Sequence, residues 1–203
     1  AIPGSQAPGC SAVTRLADEW QTTAENTARV MIFGHRTSPP LAALVNSAMM
    51  HALDFDDTLD VSALHTFVSV LPATLAAAET RPNITGKEII TAVALGVDII
   101  CRLSLAISRP LSWIRTSTCG SFGAAAAAGK ILGLDEKQMH QALGIVYSQT
   151  SGNAQALIEG SLAKRLQPGF AAQSGVTAAF LAKAGITGPQ AFLTGKYGFY
   201  SLY

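Results

Sequence analysis

Charge is what this chain has least of. Only 13% of its 203 residues are Asp, Glu, Lys or Arg, and 14 basic side chains against 13 acidic ones leave a net charge of +1. So even a balance gives no electrostatic footprint for nucleic acid or an anionic membrane, and neither is expected as a partner. Aromatic residues are scarce at 7%. With abundant alanine, this points to closely packed helices with small residues at their contacts and away from a β-sandwich. Cysteines number three, Cys10, Cys101 and Cys119, widely spaced. They form neither a disulfide framework nor a zinc spacing and read as thiols of a reducing, cytoplasmic compartment. Long apolar runs are missing too. Mean hydropathy is high at +0.31, yet the stretches 89–100 and 122–129 are interrupted or too short to span a bilayer. The excess apolar surface is expected to serve a buried interface. There is no signal-peptide pattern. Both ends, Ala1-Ile2-Pro3-Gly4 and 197–203, read as interior sequence, so a fragment of a longer chain is expected.

What is present is helical punctuation. A loop over 1–12 precedes a short helix over 12–20, and 28–33 suits a small strand closed by Gly34. Pro39 and Pro40 suit a helix start. Leu41, Leu44, Val45, Ala48, Met49 and Leu53 then share one apolar face. A loop over 57–67 leads to an Ala-rich helix over 70–79. Thr85-Gly86-Lys87-Glu88 is a capping box opening a long helix to about Ile107, ended by Pro110. Asp98 and Arg102, four apart within it, form a structural pair. After a loop over 108–118, a helix over 123–132 stops at Gly133, and Asp135 caps the next, to about Thr150. A polar connection over 151–163 leads to a long helix after Pro168. Gly188-Pro189-Gln190 opens a short terminal one. No repeat or linker divides the chain, so residues 1–203 read as a single all-α domain.

Against this background one run stands out. His51-Ala52-Leu53-Asp54-Phe55-Asp56-Asp57-Thr58, with His65 following, sets three carboxylates, a hydroxyl and two imidazoles within fifteen positions. Carboxylate and imidazole near one another, where an apolar helix runs into a loop, are the parts of acid–base sites. The dipole disfavours negative charge at a helix C-terminus, so three acids there call for a reason. His51 is expected to be structural, stacked in a helix interface, and His35 and His140 to lie on the surface. Lys164 and Arg165 precede Pro168-Gly169, a turn that would hold Lys164 in position and leave Arg165 as an ion-pair partner. Gly120 and Gly123 match no nucleotide motif and read as helix contacts.

Four segments in order carry a resemblance. They are the His51–Thr58 run, Thr118-Cys119-Gly120-Ser121-Phe122-Gly123 with its alanines, Lys164-Arg165-Leu166-Gln167-Pro168-Gly169, and Gly195-Lys196-Tyr197-Gly198-Phe199. Together they resemble the helical part of the MmgE/PrpD family of dehydratases, decarboxylases and epimerases. The resemblance implies a multi-helix domain whose smaller α/β lid domain is absent from this chain, and a homodimer. It implies proton transfer next to a carboxylate of a small di- or tricarboxylate, with loss of water or carbon dioxide and with no cofactor and no metal. Asp54 and Thr58 match the helix end that positions the substrate, His65 the loop histidine, and Lys164 a carboxylate partner. Such chemistry needs a cation for binding and a group titrating near working pH. Asp54 would orient and stabilise the imidazolium.

Two positions depart from the family pattern. Ile114 stands where many relatives carry histidine, and cannot transfer protons; Arg115 beside it adds a substrate-binding charge. Gln167 stands where many carry histidine and can hydrogen-bond without titrating. The alternatives are an inactive, truncated or drifted homologue, or an isomerase or epimerase on the same scaffold.

Overall fold

The computed structural model describes residues 1–20, 22, 25–108 and 113–203. The fold is all-α, with two strands of two residues each among the described residues, β1 Ala28–Arg29 and β2 Arg36–Thr37, paired antiparallel with Ala28 opposite Thr37. The helices are α1 Cys10–Glu19, α2 Pro39–His51, α3 Phe67–Ala78, α4 Gly86–Leu105, α5 Arg115–Thr118, α6 Gly120–Leu132, α7 Glu136–Tyr147, α8 Gln155–Ile158, α9 Ala163–Lys183 and α10 Phe199–Leu202. No helix among the described residues is long and apolar enough to cross a membrane.

Helix α6 is the axis. All its residues but Lys130 are buried, and α3, α4, α7 and α9 surround it. Gly and Ala make this possible, because backbones approach where side chains would keep them apart. A Cβ placed on Gly96 of α4 would lie 2.7 Å from the Gly123 carbonyl oxygen of α6. One placed on Gly175 of α9 would lie 2.5 Å from the Ala124 Cβ. Next to this small-residue core, Phe122 meets Phe199 edge-on at 5.2 Å, closing the C-terminal segment onto α6. Helix α2 lies between α9 and α3, which fixes where its last residue, His51, comes out.

Capping sets the helix starts. Thr85 and Glu88 form the expected box on α4. Asp135 accepts from the Gln138 N–H at 2.8 Å while the Gln138 side chain returns to the Asp135 N–H at 3.1 Å. Asp135→Ala is expected to cost about 1 kcal/mol, a fall in melting temperature of ~2–4 °C for a domain of this size, measurable by thermal denaturation.

Several boundaries differ from the expectations. Residues 1–12 are not all loop, since a 3₁₀ turn spans Pro3–Gln6 and α1 begins at Cys10 after Gly9 at φ 87°. The strand at 28 ends after two residues. Helix α9 starts five residues before Pro168. Ser161 opens it, accepting from the Ala163 N–H on Oγ and the Lys164 N–H on its carbonyl. Proline at the sixth helical position removes one early bond, to the Lys164 carbonyl, and the helix continues. The connection over 151–163 holds α8, and Arg115–Thr118 is helical. Gly188 opens no helix, because its N–H is bound to Gln141 Oε1 at 2.7 Å and its backbone presses on α7, where a Cβ would lie 2.5 Å from the Ile145 nitrogen. The stop expected at Pro110 falls outside the described residues.

Candidate active site

The last turn of α2 delivers His51 into the interior, where its side chain is 1% exposed. The chain then reverses at Asp54, whose φ of 52° is left-handed, a conformation that Asp tolerates better than most residues. The reversal sends the three acids to three different partners. Asp54 pairs with the Lys164 ammonium from the first turn of α9. Asp56 turns inward and is 6% exposed, with Oδ2 2.8 Å from His51 Nδ1 and 3.3 Å from His65 Nδ1. Asp57 accepts from the Thr66 N–H at 2.9 Å and the Phe67 N–H at 3.1 Å, so it caps α3, where the dipole favours it. Each acid therefore has its own reason for being there.

The two imidazoles meet edge-on, 4.8 Å between centroids and 71° between planes. His65 is held on both sides: Nδ1 lies 2.9 Å from the Asp57 carbonyl oxygen, and its backbone N–H donates to Thr116 Oγ1 at 3.1 Å. Burial pushes the Asp56 carboxyl up. The hydrogen bond from His51 and the charges of His51 and His65 outweigh that and hold it below the ordinary carboxylate range. His51 Nε2 lies 3.6 Å from Asp54 Oδ1. His51, Asp54, Asp56 and His65 thus place four potential metal-ligand atoms within 4.8 Å of one another. With Lys164 on Asp54 and both rings on Asp56, the geometry is that of a hydrogen-bonded acid–base cluster.

Two clefts lie nearby, and the smaller one borders the cluster. One of about 190 Å³ is bordered by His51, Asp54, Ser161, Lys164 and Arg165. The other, about 470 Å³, is bordered by Asp60, Ser62, Trp113, Ile114 and Arg115. Leu157 of α8 borders both.

The structure brings Asp54, His65 and Lys164 together, and adds His51 and Asp56, which sequence reasoning did not nominate. The available signal was a histidine on the buried face of an apolar helix with acids just beyond its end. Arg115 borders the larger cleft. Its Nη1 lies 3.0 Å from Ser62 Oγ, and its Nε is buried without a partner among the described residues. Thr58 turns to Asp60, donating to Oδ1 at 2.7 Å. Gln167 is buried and clamps the neighbouring loop, accepting from the Asn153 N–H at 2.7 Å and donating to the Asn153 carbonyl at 3.0 Å. Each end of its amide is therefore engaged with Asn153. Arg165 reaches the Pro8 carbonyl at 2.5 Å instead of an acid. His35 and His140 are half-buried, each with one ring nitrogen enclosed, and His140 packs on Phe192. Asp98 and Arg102 pair as expected, at 2.7 Å.

An all-helical scaffold carrying a histidine pair beside one carboxylate, with a lysine alongside, defines a helical domain built around a His–Asp–His cluster. The chain belongs to the MmgE/PrpD family: the model of the MmgE/PrpD N-terminal domain matches residues 1–203. It is 36% identical over 178 residues to a cis-aconitate decarboxylase of Aspergillus terreus, covering 84% of this chain and 36% of the relative. It is 35% identical over 175 residues to the cis-aconitate decarboxylase of Homo sapiens, covering 83% and 36%. A cis-aconitate decarboxylase-like protein, oryM, of Aspergillus oryzae is 30% identical over 209 residues, covering 97% and 42%. The chain thus spans well under half the length of these relatives.

Proposed function

We propose that this chain supplies the helical side of the active site of a cofactor-independent lyase that acts on a small di- or tricarboxylate. The observation that carries this reading is the His51–Asp56–His65 cluster, with Lys164 alongside on the rim of the smaller cleft. Likeness to cis-aconitate decarboxylases favours decarboxylation. A substrate carboxylate would compete with Asp54 for the Lys164 ammonium, and Arg115 would hold a second carboxylate from the larger cleft. Breaking the bond to the departing carboxylate leaves its electron pair on carbon, conjugated with a neighbouring carboxylate. Protonated His65 then delivers a proton to that carbon. Asp54 and Thr58 lie on the same loop, beside the reacting carbon, and Gln167 acts through the loop at Asn153. The protein is read as cytoplasmic and homodimeric, with the exposed Phe55, Val61 and Ile158 near the site suited to being covered.

A second reading has its own observation. Ile114, on the wall of the larger cleft, cannot titrate, as in a drifted, inactive homologue. The test is incubation of the full-length protein with cis-aconitate in D₂O. Release of carbon dioxide supports the lyase. Carbon-bound deuterium without release points to an isomerase, and the absence of both points to drift. Lys164→Met is expected to raise KM by ~10–100-fold with a smaller change in kcat, since hydrogen bonds to charged groups are worth ~1.5–3 kcal/mol; steady-state kinetics reads both.

A further inference from the structure

We propose that Asp56 is a positioning residue: one buried carboxylate that fixes the Nδ1–H tautomer of His51 and lies beside the same tautomer in His65, which the Asp57 carbonyl sets. This rests on the lyase reading for its purpose, but not for its test.

The hydrogen-bond partners dictate where the ring protons sit. A backbone carbonyl can only accept, so His65 Nδ1, 2.9 Å from the Asp57 carbonyl and 3.3 Å from Asp56 Oδ2, must carry hydrogen. An ionised carboxylate can only accept, so His51 Nδ1, 2.8 Å from the same Oδ2, must carry hydrogen too. Both rings are thereby held opposite to the Nε2–H form that histidine prefers in water. In the neutral state each keeps its lone pair on Nε2. His51 borders the smaller cleft, where its Nε2 lies near Asp54. His65 Nε2 has no hydrogen-bond partner among the described residues.

Asp56 Oδ1 strengthens the case. It is buried and unpartnered among the described residues. A carboxylate half-satisfied in the interior costs stability, so its place is explained by what the other oxygen does for the rings. The nearby charged groups, Asp54 and Lys164, are paired with each other. Asp57 spends its carboxylate on the start of α3. Asp56 is left to set His51.

The unaltered protein provides the first test. In protein labelled with ¹⁵N-histidine, long-range nitrogen–proton correlations are expected to show His51 and His65, once neutral, with hydrogen on Nδ1. Either ring found as Nε2–H overturns the proposal. Asp56→Leu provides the second. Leucine offers His51 no acceptor, so His51 is expected to move its hydrogen to Nε2, which faces Asp54 Oδ1 at 3.6 Å. In the full-length protein kcat should fall by ~100-fold or more with KM nearly unchanged. His51 still carrying hydrogen on Nδ1 in Asp56→Leu also overturns the proposal. Asp57→Asn is the comparison: it should lower thermal stability and leave both tautomers as they are. Locked tautomers without turnover of any carboxylate would keep this assignment and sink the lyase reading. Turnover with unlocked rings would do the reverse.

Discussion

On the lyase reading, His65→Gln in the full-length protein is expected to reduce turnover of cis-aconitate by ~100-fold or more, the usual contribution of a positioned general acid or base, while the fold survives. The side chain is 20% exposed and sits in a loop. Its backbone N–H keeps the bond to Thr116 Oγ1 whatever the side chain. Glutamine has an amide that can donate to the Asp57 carbonyl in place of Nδ1. What it lacks is a proton that comes and goes near neutral pH. Steady-state kinetics beside a melting curve separates the two effects. A loss below about tenfold, with the melting temperature unchanged, would remove His65 from proton transfer.

A large loss of stability is expected at Gly175. A Cβ there would lie 2.5 Å from the Ala124 Cβ and 2.6 Å from the Ala125 nitrogen. The obstacles are a methyl group and main chain, so no flexible side chain can swing aside. Gly175→Ala is expected to cost about 3 kcal/mol, the upper end for overpacking a close-packed interior, and Gly175→Val should yield little folded protein. Gly86 is the comparison, since nothing lies within 4 Å of a Cβ built on it, and Gly86→Ala should be neutral or slightly stabilising. Urea denaturation of the Ala variants measures both. Equal midpoints for Gly175→Ala and the parent would mean that α6 and α9 are not in backbone contact.

These two positions also show where the sequence could be read and where it could not. The α6 contact was legible, because a run of Ala and Gly flanked by apolar helices has few other uses. The caps at Thr85 and Asp135 were legible because capping is a local transaction over four residues. Lys164 and the acid cluster stood out against a chain poor in charge. The start of α9 was misread because Pro168 looked like a helix opening, whereas Ser161 opens the helix and proline is merely accommodated in its second turn. The roles of the site residues were the hardest part. Sequence spacing places Asp54, Asp56 and Asp57 together but cannot say which faces Lys164, which the imidazoles and which the α3 terminus. That depends on the left-handed turn at Asp54. Nor does spacing show that His51 reaches Asp56 or that Gln167 is bonded to Asn153.

The course of α9 links the two ends of this picture. At 1.5 Å per residue its 21 residues extend about 30 Å, and Gly175 lies about 16 Å along the axis from the Lys164 end. Between those points the helix is clamped a second time, since a Cβ placed on Gly169 would lie 2.7 Å from the Leu44 carbonyl oxygen of α2. Held at Leu44 and again at Ala124, α9 is a rail and not a hinge, and the place of the Lys164 ammonium is set by how closely small residues let three helices approach.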